Sequence, residues 1–121
     1  MATPVHPYRG FVRHWTLDEA TAALPEVREK VQRLRQLVRA RPTANGQGAR
    51  LDTEIAAIVE GLNADGIIVR DPERGLIDFP ALAPSGETYL LCWLDGEDAI
   101  EWWHWPDAGF AGRTPISAPP T

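Results

Sequence analysis

Residues 88–105 read TYLLCWLDGEDAIEWWHW, in which two largely apolar runs flank the dipeptide Asp95-Gly96. An Asp-Gly pair between two such runs is a strong signal for a two-residue hairpin turn, because both central residues of that turn need positive φ. We therefore predict two antiparallel strands, Thr88–Leu94 and Glu97–Trp105. The stretch contains four of the five tryptophans, the only cysteine and one of the three histidines.

A two-residue turn sets the register of this hairpin, with Leu94 opposite Glu97 and Cys92 opposite Ala99. One face then carries Tyr89, Leu91, Trp93, Ile100, Trp102 and His104. The other face carries Leu90, Cys92, Leu94, Ala99, Glu101 and Trp103. Antiparallel sheets commonly keep one polar face in water, whereas both of these faces are mostly apolar. We expect the hairpin to be covered on both sides, by helices and by a loop or a partner.

Two helices are predicted upstream of the hairpin. The segment Thr16-Leu-Asp-Glu19 is a capping box, in which the first and last side chains bond each other's backbone N–H groups. Apolar residues follow at spacings of three and four, at positions 17, 20, 24, 27, 31, 34 and 38, and again at 51, 55, 58 and 62. The Pro/Gly-rich segment 41–48 separates the two runs. This pattern predicts an antiparallel helical hairpin with a coiled-coil-like seam.

After Gly66 the apolar period changes to two, which predicts short strands over 67–70 and 76–81 on either side of the turn at 71–75. The predicted fold class is α+β, an N-terminal antiparallel helical hairpin followed by an antiparallel β-meander of about four strands. We interpret residues 1–14 as an irregular N-terminal arm, 15–116 as a single α+β domain and 117–121 as a Pro-rich tail.

The composition is that of a globular protein, with 121 residues, 44% hydrophobic and 24% charged residues and a net charge of −5. No apolar run approaches the roughly 20 residues of a membrane-spanning helix, and the first residues contain no signal-peptide core. The single cysteine excludes an intrachain disulfide, as is usual in a reducing compartment. We expect a cytoplasmic protein without a membrane partner.

Basic residues are concentrated in the first predicted helix, between residues 26 and 41. They are Arg28, Lys30, Arg33, Arg35, Arg39 and Arg41. Such a helix either contacts nucleic-acid phosphates or is a solvated charged face. Because the whole chain is acidic and no aromatic residues interleave with this cluster, we favour the solvated face and expect no nucleic-acid partner.

His104 lies between two tryptophans at the end of the last predicted strand. It is a candidate general acid or base, or else a structural histidine bonded under aromatic cover, and the second interpretation is favoured. Glu101 would lie on an apolar face, where a carboxylate needs an arginine such as Arg113 or Arg74, or is protonated. Asp78 sits within a strand, either as a carboxylate directed to the same site or as a cap for the preceding bend.

The segment Gly109-Phe-Ala-Gly-Arg113 has two interpretations. Its backbone N–H groups and its guanidinium would form an anion site, or the segment is a turn whose arginine pairs with the acidic sheet. No HxxxH, HExxH or CxxC spacing occurs, so we predict no metal site and name no cofactor. Cys92, in mid-strand, is interpreted as a small buried hydrophobe.

Several of these segments resemble the DUF2203 family, a group of small uncharacterised prokaryotic proteins, over about residues 15–116. The segments are WTLDEA at 15–20, LPEV at 24–27, RGLIDFP at 74–80, LCW at 91–93, Gly96-Glu97, Trp103-His104 and GFAGRTP at 109–115. The chain departs from the family in shorter helices around 41–48 and in Trp105, where a polar residue is expected. The resemblance implies a helix-plus-sheet layout and no established activity.

Three functions follow as hypotheses. The first is a homodimeric binding module whose Trp-rich hairpin is the binding surface, because tryptophan and arginine dominate interaction hot spots. The second is a small enzyme or anion-binding protein, with His104 as acid or base and Glu101 or Asp78 as its partner. In that hypothesis the ligand-binding residues are Trp93, Trp102, Trp103, Gly109, Gly112 and Arg113. The third is nucleic-acid binding through the basic helix.

Overall fold

The computed structural model describes residues 13–121, so most of the predicted N-terminal arm lies outside the described residues. Helix α1 spans Leu17–Ala40, and a 3-10 turn at Arg41–Thr43 leads towards helix α2, Gly48–Ala64. The predicted capping box begins α1, because Thr16 Oγ1 accepts from the Glu19 N–H at 3.1 Å and Glu19 Oε1 accepts from the Thr16 N–H at 2.9 Å. The predicted helical hairpin is confirmed. No helix among residues 13–121 is both long and apolar enough to cross a membrane.

The sheet is an antiparallel meander in which each strand pairs with the next one along the chain. Its strands are β1 Ile68–Asp71, β2 Leu76–Leu82, β3 Thr88–Leu94, β4 Trp102–His104 and β5 Thr114–Pro115. The predicted α+β class is therefore confirmed, with a fifth strand where about four were expected. The two residues of β5 are too few to show an alternating pattern, so the sequence carries no signal for this strand.

The predicted hairpin register is wrong by three residues, since Cys92 pairs with Trp102 and not with Ala99. A matching turn needs positive φ at both central residues. Of these two residues, only Gly96 has a positive φ, of 107°. Asp95 does not, because Asn45 is the one non-glycine residue in the described chain with positive φ. The Glu97 side chain accepts from the Leu94 N–H at 2.8 Å and thereby bonds the end of β3. The strands separate here, and residues 95–101 form a longer connection.

The three-residue shift exchanges the faces of β4, because successive residues of a strand point to opposite sides. Trp103 faces α1 together with Leu91 and Trp93, and His104 shares the other face with Cys92. The core between helix and sheet contains Ala20, Leu24, Val27 and Val31 of α1 and Ile77, Phe79, Leu91 and Trp93 of the sheet. The segment that follows β4 covers part of the second face, where Pro106, Gly109 and Phe110 lie near Asp78 and His104.

Candidate functional site

Asp78, Cys92 and His104 lie together on the sheet face opposite the helices. They come from β2, β3 and β4, and their exposed fractions are 0%, 1% and 3%. One carboxylate oxygen, the sulfur and one ring nitrogen lie within 4.8 Å of one another. The alternation of β2 and β3 and the shifted register of β4 are what bring these three side chains onto one face.

Asp78 is held between two basic groups. Its Oδ2 accepts from Arg70 Nε at 2.7 Å, and both carboxylate oxygens are 3.1 Å from His104 Nε2. The other ring nitrogen, Nδ1, lies 2.7 Å from the carbonyl oxygen of Trp105. Because a carbonyl only accepts hydrogen bonds, Nδ1 must carry a proton. Throughout the described chain, no buried side-chain nitrogen or oxygen lacks a partner.

The protonation states follow from these contacts. Burial by itself lowers the pKa of His104, but the hydrogen bond and charge of Asp78, helped by the Trp105 carbonyl, outweigh it, so the pKa is raised. Burial raises the pKa of Cys92 to about 12, and the charge of Asp78 adds to that effect while Arg113 opposes it. The thiol of Cys92 is therefore protonated, and the contact with Asp78 favours the protonated form of the His104 ring.

A cavity of about 140 Å³ lies next to Asp78 and His104. It is lined by Arg70, Leu76, Asp78, His104, Pro106, Gly109 and Phe110. Phe110 is 37% exposed, and the guanidinium carbons of Arg74 and Arg113 lie 5.2 and 4.2 Å from its ring centroid. The segment after β4 thus forms the roof of the cavity, and Gly109 turns the chain there with φ of 66°.

Arg113 faces the sheet and pairs with a carboxylate. It donates to Glu97 at 3.1 and 2.9 Å in a two-pronged pair and stacks over Trp102 at 4.8 Å. Its Nη1 also lies 4.0 Å from Cys92 Sγ. This is the arrangement expected of a turn whose arginine pairs with the acidic sheet. Arg113 therefore lies beside the Asp78–Cys92–His104 cluster, next to the sulfur of Cys92, and not among the cavity-lining residues.

The structure brings some of the candidate residues together and separates others. Asp78, His104 and Gly109 meet at the cavity. Glu101 is exposed in the connection before β4, and its carbonyl accepts from the Ile116 N–H at 2.9 Å. Trp93 and Trp103 belong to the core on the opposite face, whereas Trp102 is half-buried. Gly112 closes the turn, with its N–H bonded to the Gly109 carbonyl.

Arg70 was missed by sequence reasoning. It lies in β1, and β1 pairs with the strand that carries Asp78, so its guanidinium reaches across to the carboxylate. The available signal was an arginine in one predicted strand beside an aspartate in the next. Cross-strand opposite charges are a recognised pairing, but only the register shows that these two residues meet.

The basic face of α1 is largely neutralised within the chain. Arg35 pairs with Asp95 at 2.7 Å, in a contact where the two side chains are 22% and 10% exposed. Further contacts among the described residues include Arg28 with the Asp98 carbonyl, Lys30 with Glu26 and Asp65, Arg33 with Glu54, Arg35 with the Glu73 carbonyl, and Arg41 with Asp52. Most of these charges therefore already face acceptors within the described chain.

A comparison with protein families identifies a family for most of the chain. The model described as an uncharacterized conserved protein family, DUF2203, matches residues 39–116. This range begins at the end of α1 and includes the whole sheet and every residue that lines the cavity. No curated protein and no solved structure matches the chain.

Removing the charge of Asp78 tests how much its ion pairs with Arg70 and His104 contribute to the stability of the fold. We expect Asp78→Asn to lower the free energy of unfolding by about 3–5 kcal/mol, because it leaves Arg70 and His104 without their carboxylate. Chemical denaturation measures this loss. Asp52→Asn is the matched control, since Asp52 pairs with Arg41 at an exposed site and its replacement should change little. Equal effects of both substitutions would contradict a central role for Asp78.

The raised pKa of His104 predicts a pH dependence of stability. A group whose pKa is higher in the folded state stabilises the protein fully below its unfolded pKa, whose ordinary value is 6.5, and this stabilisation is lost as pH rises through the folded pKa. The protein should therefore become less stable from neutral to mildly alkaline pH, measured as the free energy of unfolding. His104→Gln should flatten this slope. A wild-type slope of the opposite sign would refute the assignment.

Proposed function

The chain belongs to the DUF2203 family, whose description assigns no activity, and we propose from its site that it is a small-ligand-binding protein. The proposed pocket is the cavity above Asp78 and His104. The supporting observation is a hydrogen-bonded charged network next to an open cavity, in which Asp78 and His104 are buried and the Arg70 side chain is 32% exposed. Buried ion pairs are often no better for stability than well-packed apolar residues. A network of this kind beside a cavity is therefore more useful for recognising a ligand than for filling a core.

Binding is favoured over acid–base catalysis by the hydrogen bonds of His104. Its Nδ1 is engaged by the Trp105 carbonyl and its Nε2 by Asp78. A general base needs a nitrogen without a proton, and a ring that donates from Nδ1 to a carbonyl and from Nε2 to a carboxylate has none. The ring is thus held as an oriented charge at the floor of the pocket.

The size and charge of the cavity indicate the class of ligand. A water molecule takes about 30 Å³ of liquid, so about 140 Å³ accommodates a molecule of only a few heavy atoms. Among residues 13–121, the titratable groups in the lining are Arg70, His104 and Asp78, which together carry one net positive charge when His104 is protonated. The proposed ligand is a small anion such as formate, acetate or inorganic phosphate.

The ligand proposal is tested by titration of isotope-labelled protein with these three anions, followed by amide NMR at constant ionic strength. We expect saturable shifts at Gly109, Phe110 and His104. Arg70→Gln should weaken binding at least about tenfold, because a hydrogen bond to a charged group contributes about 1.5–3 kcal/mol. Arg39→Gln, on the distant exposed helix face, is the control. Shifts that are equal in both variants, or that follow chloride equally, would reject the pocket.

We also propose a homodimer, built on α2. In the apolar seam of α2 only Leu62 is buried, whereas Leu51, Ile55 and Ile58 are half-buried. Ile55 lines a shallow groove with Val38 and Pro42. A second copy placed against this stripe would bury it. Within the Trp-rich hairpin, Trp93 and Trp103 are core residues, so any partner surface there depends on the half-buried Trp102 and Trp105.

Light scattering on the purified chain tests the dimer. We expect a dimer at micromolar concentration and a monomer for Ile55→Glu, because a buried unpaired carboxylate opposes association. Ala56→Glu, at an exposed position of the same helix, should leave the dimer intact. A monomeric wild type would end this proposal.

A cytoplasmic location completes the proposal. Cys92 is a free, buried thiol, and free thiols are typical of reducing compartments. Fractionation of cells that produce the protein tests this placement, and recovery outside the cytoplasm would contradict it.

A further inference from the structure

The geometry points to a metal-binding site formed by Asp78, Cys92 and His104, with zinc as the ion that fits it best. The three residues supply an oxygen, a sulfur and a nitrogen, which is a ligand set that zinc accepts. This inference uses the floor of the pocket that we proposed for an anion. It goes beyond that function, because the ion would bind whether or not an anion occupies the cavity.

The distances between the three ligand atoms are compatible with binding to a single ion. The three ligand atoms already lie within 4.8 Å of one another. Zinc–ligand bonds of about 2.0–2.3 Å place neighbouring ligands of a tetrahedral site roughly 3.5 Å apart. Small rotations of the three side chains would therefore close them on one ion. Since Asp78 and His104 also line the cavity, a fourth coordination position would open towards it.

Each proposed ligand already has an outer partner of the kind found around metal sites. His104 Nδ1 donates to the Trp105 carbonyl, which leaves Nε2 as the nitrogen directed at the cluster. Arg70 bonds Asp78, and Arg113 lies beside the sulfur of Cys92. Such outer hydrogen bonds orient metal ligands and select the ring nitrogen that binds.

The charge balance permits a cation despite the two arginines. Arg113 is matched by Glu97, to which it donates two hydrogen bonds. A zinc ion would displace the thiol proton of Cys92 and the Nε2 proton of His104. The two positive charges of the ion then take the place of the charges of these two protons. The net charge of the buried cluster is then unchanged. This exchange also accounts for a cysteine in a position that a purely structural ion pair does not need.

Metal binding to the full chain is the direct test. Protein produced with added zinc and then gel-filtered should retain about one zinc per chain by elemental analysis. Metal-free protein titrated with Co²⁺ should show a near-ultraviolet sulfur-to-cobalt band and the visible bands of a tetrahedral site. Zinc added to unbuffered protein near neutral pH should release protons. Absence of retained zinc together with absence of the sulfur-to-cobalt band would overturn the inference.

Variants separate a ligand set from a structural cluster. Cys92→Ser should abolish the sulfur-to-cobalt band and weaken zinc binding by about 100-fold or more, because even outer-shell changes cost about 10–100-fold. His104→Gln should weaken zinc binding similarly. The control is Asp95→Asn, which disrupts another little-exposed ion pair and should retain full binding. If Cys92→Ser fails to fold, a zinc-dependent rise in wild-type Tm that is reversed by chelator serves instead.

The outcomes also distinguish this inference from the anion proposal. Anion binding in chelator-treated protein that holds no zinc supports the pocket alone, and failure to rebind zinc then overturns the metal site. Zinc binding without any response to formate, acetate or phosphate supports the metal site and rejects the anion. If the wild type and Cys92→Ser bind zinc with the same affinity, the ion binds somewhere other than at Asp78, Cys92 and His104, and the proposed site is overturned.

Discussion

The hydrogen bonds of Asp78 with Arg70 and His104 are the interaction on which the second face of the sheet depends. They connect β1, β2 and β4 through one carboxylate that is fully buried. A buried carboxylate is costly unless charged partners surround it, so this group constrains the position of both neighbours. The register of β4, the rotamer of Arg70 and the path of the segment after β4 all have to satisfy it.

The two faces of the sheet consequently have different physical characters. The face against α1 is an ordinary core of aliphatic and aromatic side chains, stabilised by burial of apolar surface. The other face carries a polar cluster and a small cavity under a short connecting segment. The second face is the one suited to ligand recognition, because oriented charges beside open space can bind a ligand, whereas a filled apolar core has no room for one.

Much of the architecture was predictable from local patterns. The capping box at Thr16 and Glu19 and the three-and-four spacing of apolar residues indicate the helices, and β3 has the predicted bounds Thr88–Leu94. The register of the aromatic hairpin was not predictable. It depends on the φ of Asp95 and on the hydrogen bond that the Leu94 N–H donates to the Glu97 side chain, neither of which a dipeptide signal encodes. The predicted register therefore put Glu101 on the face of Cys92 and put His104 on the opposite face.

The sequence by itself determined the element types, their order and the main chemical candidates, because periodicity, capping and turn propensity act over a few neighbouring residues. It identified Asp78 and His104 as candidates that share a site. Only the tertiary structure decided that Arg70 and Cys92 join them, that Arg113 pairs with Glu97 and that Glu101 stays in solvent. The physical reason is that strand pairing brings together residues distant in sequence, and an odd shift of register reverses the face of every side chain in the shifted strand.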